Sequence, residues 1–438
     1  MKNNRTNMLV SLAIPVTIEN VLQTFVGLID SLMIAKIGLF AVTAVGVANA
    51  ILNVYLAVFI AVGVGASSLI AQKLGAGKDK EAAEITNQSV VIAIVIGLIF
   101  GLFSLLFAEP ILSIMGAEES ILTSSKYFFS IVGGSSVFMA LNTVFGSILR
   151  ATEDTKTPMK VSIIVNLLNI IIDYILIFGL GPIPALGVIG TAIGTAMSRL
   201  IGSYLLFKKV QQSKSPIQFK TFFSKMSYRP ILSLTIPATL ERLVMRLGQV
   251  VYFSLIVGIG ADVFAAHSIA GNIEAFTYMP AYGLAAAVAT MVGGSVGRND
   301  YEEAKEYNYI AVKIGVVIMS LLGIILFTGA PFFASIFTKD IETIQQITTA
   351  LRIDAFAQPA LAISLITTGA LQGMGDTKSP LYSTAIGMWG IRVLGVILFS
   401  RIFNMGIAGV WLSIAIDLYL RSAFLMYKFN KNVAQQNV

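Results

Sequence analysis

What most limits this chain is a series of about a dozen unbroken apolar blocks of roughly 20 to 28 residues, each enough to cross a hydrocarbon core as a helix. Blocks such as Val90 to Phe107 are apolar without alternation. That excludes a transmembrane β-barrel, whose strands alternate lipid-facing and lumen-facing residues. Charged residues make up only 12% of the chain, about half of what an average soluble domain carries. The loops between blocks are too short for a separate catalytic domain. The chain therefore reads as an all-α integral membrane protein with twelve transmembrane helices.

The net charge of +7 does not gather on one face, so it gives no nucleic-acid surface and reads as topology. With twelve spans and both termini on one side, that side's loops and tails carry nineteen Lys and Arg. The opposite loops hold four, namely Lys36, Lys126, Lys339 and Arg401. Basic loops stay cytoplasmic, so both termini are expected inside a cell membrane. Leu9 to Ala35 is too long for a signal peptide and lacks a small-residue cleavage site at its end, so it reads as a retained first helix. With no cysteine, one histidine and no nucleophile motif, an enzyme is not expected, and neither are disulfides or a thiolate metal site. No repeated filter marks a channel, and no cofactor is implied beyond a coupling ion.

The chain repeats itself at an offset of 222 residues. Ser11-Leu-Ala-Ile-Pro15-Val-Thr-Ile-Glu19 returns as Ser233-Leu-Thr-Ile-Pro237-Ala-Thr-Leu-Glu241, and Asp154-Thr-Lys-Thr-Pro158 returns as Asp376-Thr-Lys-Ser-Pro380. Gly38, Gly75, Ala82, Gly187 and Arg199 return as Gly260, Gly297, Ala304, Gly409 and Arg421. Six helices per copy give an N-lobe at 1–212 and a C-lobe at 213–438, with a cytoplasmic linker over about 208–229. An even number of helices makes the repeats parallel, an arrangement transporters use with the substrate bound between halves. The internal pair makes a monomer the default. Asp154 and Asp376 sit in ordinary turn contexts and are expected to be turn or gating elements.

Charged residues within the spans cost enough to demand a role. The first half carries Glu19 and Asp30 in helix 1 and Asp173 in helix 5, and these lack obvious basic partners. The second half mixes Glu241, Glu274 and Asp354 with Arg242, Arg246, Arg352 and Arg392, which are expected to pair. Unpaired buried carboxylates must take a proton or a cation, because burial penalises the bare charge. Glu19, Gln23, Gly27 and Asp30 share one helix face, as do Asn166, Asn169 and Asp173. Thr191 and Thr195 in helix 6, with Asn142 in helix 4, add oxygens suited to a hard cation. Glu19, Glu241 and Glu274 are read as coupling or structural carboxylates. The lone His267 is expected to pack rather than to bind metal.

Together the duplicated unit, the opening IPVTIENVLQTFVGLIDSLMIAKIG, the later AAHSIAGNIEAFTYMPAYGLAAAVATMVGGSVG and both DTKxP loops resemble the multidrug and toxic compound extrusion (MATE) transporters. The resemblance spans essentially the whole chain. It implies a twelve-helix fold in two lobes that exports organic, often cationic drugs in exchange for H⁺ or Na⁺. It points to the DinF-like branch, whose N-lobe cation site matches Asp30, Asn169, Asp173 and Thr191, with Asn142 nearby. A sodium ion would sit at Asp30, Asp173 and Asn169. Another branch uses an acidic pair in helices 7 and 10, yet the helix 10 segment Phe356 to Ala370 holds no acid. Phe25, Phe138, Tyr278 and Met279 are expected to line a drug cavity with polarisable surface. The alternative is a lipid-linked precursor flippase, whose pyrophosphate cargo needs a cationic groove such as Arg242, Arg246 and Arg352 provide.

Overall fold

The computed structural model describes residues 2–115, 118–218 and 227–436; residues 219–226 of the expected linker, Lys220 and Lys225 among them, lie outside. Its helices are α1 (Lys2–Ile37), α2 (Leu39–Gly75), α3 (Asp79–Ile114), α4 (Glu119–Gly134), α5 (Ser136–Ala151), α6 (Lys156–Phe178) and α7 (Val188–Gln211). The second half adds α8 (Arg229–Val257), α9 (Ala261–Thr277), α10 (Met279–Gly297), α11 (Tyr301–Phe337), α12 (Ile341–Gly373), α13 (Lys378–Ile402) and α14 (Gly406–Gln436). Among the described residues the only β contact is an isolated bridge between Leu180 and Ile183.

The duplication holds at the level of helix starts. Leu39, Asp79, Glu119 and Lys156 begin helices whose counterparts begin at Ala261, Tyr301, Ile341 and Lys378, each 222 residues on. Local chemistry sets several of these starts. Asp300 accepts from the Glu303 amide at 2.9 Å and Asp340 from the Thr343 amide at 2.8 Å, satisfying donors that a helix leaves free. In the repeated loops, Asp154 accepts from the Thr157 amide and Asp376 from the Ser379 amide, both at 2.9 Å. Their turn role is thus visible directly.

Taking α4 with α5 and α9 with α10 as single bent spans gives six spans per half among the described residues. Among the described residues nine helices are long and apolar enough to cross a membrane alone, and the α4–α5 pair, bent by 46°, makes a tenth. Glu241, Arg242 and Arg246 lower the apolar content of α8, and α9 is only 17 residues long. The breaks fall at different places in the two copies. In the first half the chain bends at Ser135, after Gly133 and Gly134, whereas in the second it bends at Tyr278, just ahead of Pro280. Pro280 near the start of α10 needs no backbone donor there.

By contacts the chain forms two compact units, one of 18–235 and one of 1–17 with 236–438. The first has a core built on Phe59, Phe129, Ile70, Leu112, Ile148 and Ile231. The second holds two clusters, one around Trp411, Met388 and Ile256 and one around Met319, Phe429 and Leu9. Chain order and contact grouping part company at two matching points. Leu9, Leu12 and Ala13 of α1 pack with Ala281, Leu284 and Met291, while Ile231 of α8 packs in the core of the first unit. Both changeovers fall beside a proline, Pro15 and Pro237, where the helix lacks one backbone hydrogen bond.

Candidate functional site

Helices α1, α6 and α7 of the 18–235 unit bring Asp30, Asn169, Asp173 and Thr191 together. Asp173 is fully buried, Thr191 and Asn169 nearly so, and Asp30 lies within electrostatic reach of Asp173. Gly194 explains how Asp173 fits. A Cβ at that position would collide with the Asp173 carboxylate, so the bare backbone of α7 makes room for it one turn from Thr191. Gly190 repeats the device beneath the Leu176 carbonyl, which seats α7 closely on α6.

The chemistry of this group lies in what it leaves unsatisfied. Both carboxylate oxygens of Asp173, one of Asp30, the Thr191 hydroxyl and the Asn169 amide nitrogen are buried without a well-formed hydrogen bond among the described residues. Buried polar groups are overwhelmingly paired in folded proteins, so such a concentration marks a place that binds something. Two carboxylates, a hydroxyl and an amide can surround a proton shared by the acids or a small hard cation. The amide can present its oxygen to a cation or its nitrogen to a carboxylate.

The other expected residues fall elsewhere. The Asn142 amide donates to the Arg199 carbonyl at 2.9 Å. That contact lies eight residues along α7 from Thr191, or about 12 Å at the helical rise, so Asn142 stands apart from the carboxylates. Glu19 is not left bare, as the first-half charge balance implied: Arg150, in the last turn of α5, reaches both its oxygens at 2.9 Å. Phe25 is half exposed on α1, and Phe138 is partly buried on α5 just after the bend. In the other unit, Tyr278 and Met279 form the α9–α10 break, with the Tyr278 ring 5.5 Å from that of Tyr282.

The 1–17 and 236–438 unit pairs part of its charge in one cluster, while Asp354 Oδ1 and Arg242 Nε are buried without a partner among the described residues. Asp417 of α14 is fully buried between two guanidiniums, with Arg392 Nε at 2.5 Å and Arg421 Nη2 at 2.9 Å. Arg421 Nη1 lies 3.4 Å from the Thr384 hydroxyl, which donates to Glu241 at 3.1 Å. Gly387 leaves the space that Asp417 and Arg421 fill. Asp417 and Arg421 were missed as a site on the sequence, although their spacing of four on one helix signals a pair. The helix carrying Asp354 runs from Ile341, so this acid does lie in the second-half counterpart of α4–α5; Gln358 donates to it at 2.6 Å. Of the three arginines expected to form a groove, two are engaged locally, Arg246 with Gln249 and Arg352 with the Phe327 carbonyl and ring, while Arg242 Nε is buried without a partner among the described residues. His267 packs against Tyr252, Phe253 and Trp411, its Nε2 lying 3.1 Å from the Tyr252 hydroxyl. Among the described residues no cluster of three or more His, Cys, Asp or Glu could hold a metal ion.

The profile of the MatE family matches residues 15–175 and 237–398, one stretch in each copy of the repeat. The chain belongs to the MatE family. A relative from Thermotoga maritima, named as a probable multidrug resistance protein NorM, is 31% identical over 96% of this chain and 91% of its own length. An uncharacterized transporter from Bacillus subtilis, YisQ, is 29% identical over 97% of this chain and 94% of its own. Among solved structures, a multidrug resistance MATE transporter in an outward-facing conformation superposes with a TM-score of 0.93, covering 99% of this chain and 97% of that one at 22% identity. The fold is accordingly the twelve-helix MATE fold of a multi-pass membrane transporter, built from two six-helix copies.

Proposed function

We propose that this MATE protein exports organic, mainly cationic drugs across the cell membrane in exchange for H⁺ or Na⁺, with the coupling ion held by Asp30, Asn169, Asp173 and Thr191. The observation that carries this reading is the Asp173 carboxylate, buried with neither oxygen in a well-formed hydrogen bond among the described residues and only the Asn169 amide beside it. A bare charge in that position is costly, so the group is stable only when a proton or cation joins it. Binding offsets one of the two negative charges, leaving a single charge shared by the pair, and lets α1, α6 and α7 pack closely; release restores the repulsion between Asp30 and Asp173. That difference gives the ion a preference between two packings, which is what coupling requires.

For an uncharged drug exchanged one for one, the elementary charge moving inward gains about 2.3 kcal/mol per 100 mV, enough for roughly fiftyfold accumulation; for a monovalent cationic drug the exchange is electroneutral and the ion's concentration gradient supplies the drive. The multidrug naming of the Thermotoga maritima relative supports drugs as cargo. Phe25, Phe138, Tyr278 and Met279 offer aromatic and thioether surface that accepts varied apolar cations. Asn142 steadies α7, and Glu19, Glu241 and Glu274 are structural or coupling carboxylates. The lobes are 1–212 and 213–438, both termini are cytoplasmic by the positive-inside asymmetry, and the working unit is a monomer.

The test is efflux of a fluorescent organic cation from proteoliposomes under an imposed pH or Na⁺ gradient. Gradient-driven efflux in the wild type, lost in Asp30→Asn and Asp173→Asn, is expected. Efflux that persists in both variants overturns the site.

A further inference from the structure

Helices α11, α12 and α14 carry a groove and an arginine that the transport reading does not use. Ile353 and Phe356 of α12, with Leu412, Ile416, Tyr419 and Leu420 of α14, line a groove of about 480 Å³ whose surface is apolar throughout. The one hydroxyl there is already taken, because Tyr419 donates it to the Phe356 carbonyl at 2.6 Å. Phe356, Tyr419 and Leu420 are exposed. An apolar face is ordinary in a bilayer; the charge at its edge is not.

Arg352 stands one turn before Phe356 on the same side of α12. Past the first turn, the exposed side chains of this helix are Gln345, Thr349, Arg352 and Phe356, which share one face and change from polar to apolar after Arg352. From Ile353 to the end of α12 at Gly373 is about 21 residues, roughly 30 Å at the helical rise and one hydrocarbon thickness. Arg352 therefore stands at the edge of the hydrocarbon, within reach of lipid headgroups. Its Nε donates to the Phe327 carbonyl at 3.4 Å, and the guanidinium lies 5.3 Å from the centre of the Phe327 ring, which meets Phe356 edge-on at 5.6 Å. No acceptor meets its terminal nitrogens among the described residues. The first copy has no equivalent. Ser130, Gly134, Leu105 and Met197 hold the positions of Arg352, Phe356, Phe327 and Tyr419, and Leu105 closes directly on Gly134, 3.1 Å from where a Cβ would stand.

We propose that this face binds one anionic phospholipid, with its phosphate on Arg352 and an acyl chain in the groove. An arginine fork matches two oxygens of one phosphate, and the groove falls within the roughly 300 to 1,000 Å³ of sites that enclose small ligands. The groove alone would take any acyl chain. The unpaired guanidinium at its edge selects a headgroup of net negative charge. The lipid is held rather than carried, so the site stands or falls independently of the export reading.

The experiment is native mass spectrometry of the purified, delipidated full chain with phosphatidylglycerol or phosphatidylcholine of identical acyl chains. The wild type should hold one phosphatidylglycerol about fivefold more tightly than one phosphatidylcholine, the worth of a single basic residue near an anionic surface. Arg352→Gln should bring the two lipids to within about twofold. Arg352→Lys should keep part of the preference, because the charge stays and the fork is lost. Leu420→Trp, which fills the groove from an exposed position, should weaken both lipids alike. Lys428→Gln alters a lysine stacked on Phe424 near the other end of α14, and should leave the tightest lipid in place. Equal affinities in the wild type, a preference unmoved in Arg352→Gln, or a loss in Lys428→Gln as large as in Arg352→Gln overturns the proposal. Displacement of the lipid by glycerol phosphate at equal concentration also overturns it, because the groove then contributes nothing. So does a dimer that Leu420→Trp dissociates, which assigns the face to a second copy of the chain.

Discussion

The two copies of the repeat share their helix starts and differ in how they handle charge. In the second copy, Asp417 sits between Arg392 and Arg421, and Glu241 takes the Thr384 hydroxyl, so every member of the cluster has a partner. In the first copy, Asp30 and Asp173 have only each other and an unbonded amide and hydroxyl. One scaffold thus carries a closed electrostatic cluster and an open one. A closed cluster fixes a single packing, whereas an open one changes its energy when an ion arrives.

The comparison breaks most severely at Asp417. Asp417→Ala strands two buried guanidiniums, which costs about 3 to 5 kcal/mol, and the thermal midpoint in detergent should fall steeply. Asp173→Asn, by contrast, removes a charge that nothing offsets, so its midpoint should stay level or rise. The same substitution should erase the ion-gradient-driven transport of a fluorescent cation in proteoliposomes. Gly194→Ala sharpens the point without touching a titrating group. Its methyl enters the space of the Asp173 carboxylate, at a cost of about 1 to 3 kcal/mol, so a lower midpoint and weaker ion-driven efflux should appear together. The smallest effect belongs to His267→Phe, which keeps the aromatic packing and loses one contact with Tyr252. A stability loss of about 0.5 to 1.5 kcal/mol, with efflux unchanged, is the expected result.

Much of this contrast was legible in the sequence. Offset matching located the repeat, and the helical spacing of Asn169 and Asp173, with Asp30 and Thr191 on neighbouring spans, picked out residues whose polar atoms are unsatisfied in the fold. Turn chemistry identified Asp154 and Asp376. Other features depend on contacts between distant segments. That Arg150 neutralises Glu19 follows from how α5 meets α1, 131 residues away in sequence. The position of Asn142, against Arg199 rather than the carboxylates, depends on how far α5 runs along α7. The bend at Ser135 had a local signal in Gly133 and Gly134, but a pair of glycines inside an apolar block also serves close helix packing. Asp417 was passed over although Arg421 one turn on signals a pair, and its second guanidinium comes from Arg392 on another helix, a contact that only the fold creates.

The claim at the centre of this account is that the first copy holds the coupling ion and the second does not. Its most direct test is ion binding to the purified protein, read as ²²Na⁺ retention and as proton uptake after a pH step, in wild type, Asp30→Asn, Asp173→Asn and Asp354→Asn. Binding of one of the two ions in the wild type and Asp354→Asn, with loss in Asp30→Asn and Asp173→Asn, is the predicted outcome. Binding retained in Asp173→Asn and lost in Asp354→Asn would contradict the account and move the ion to the second copy.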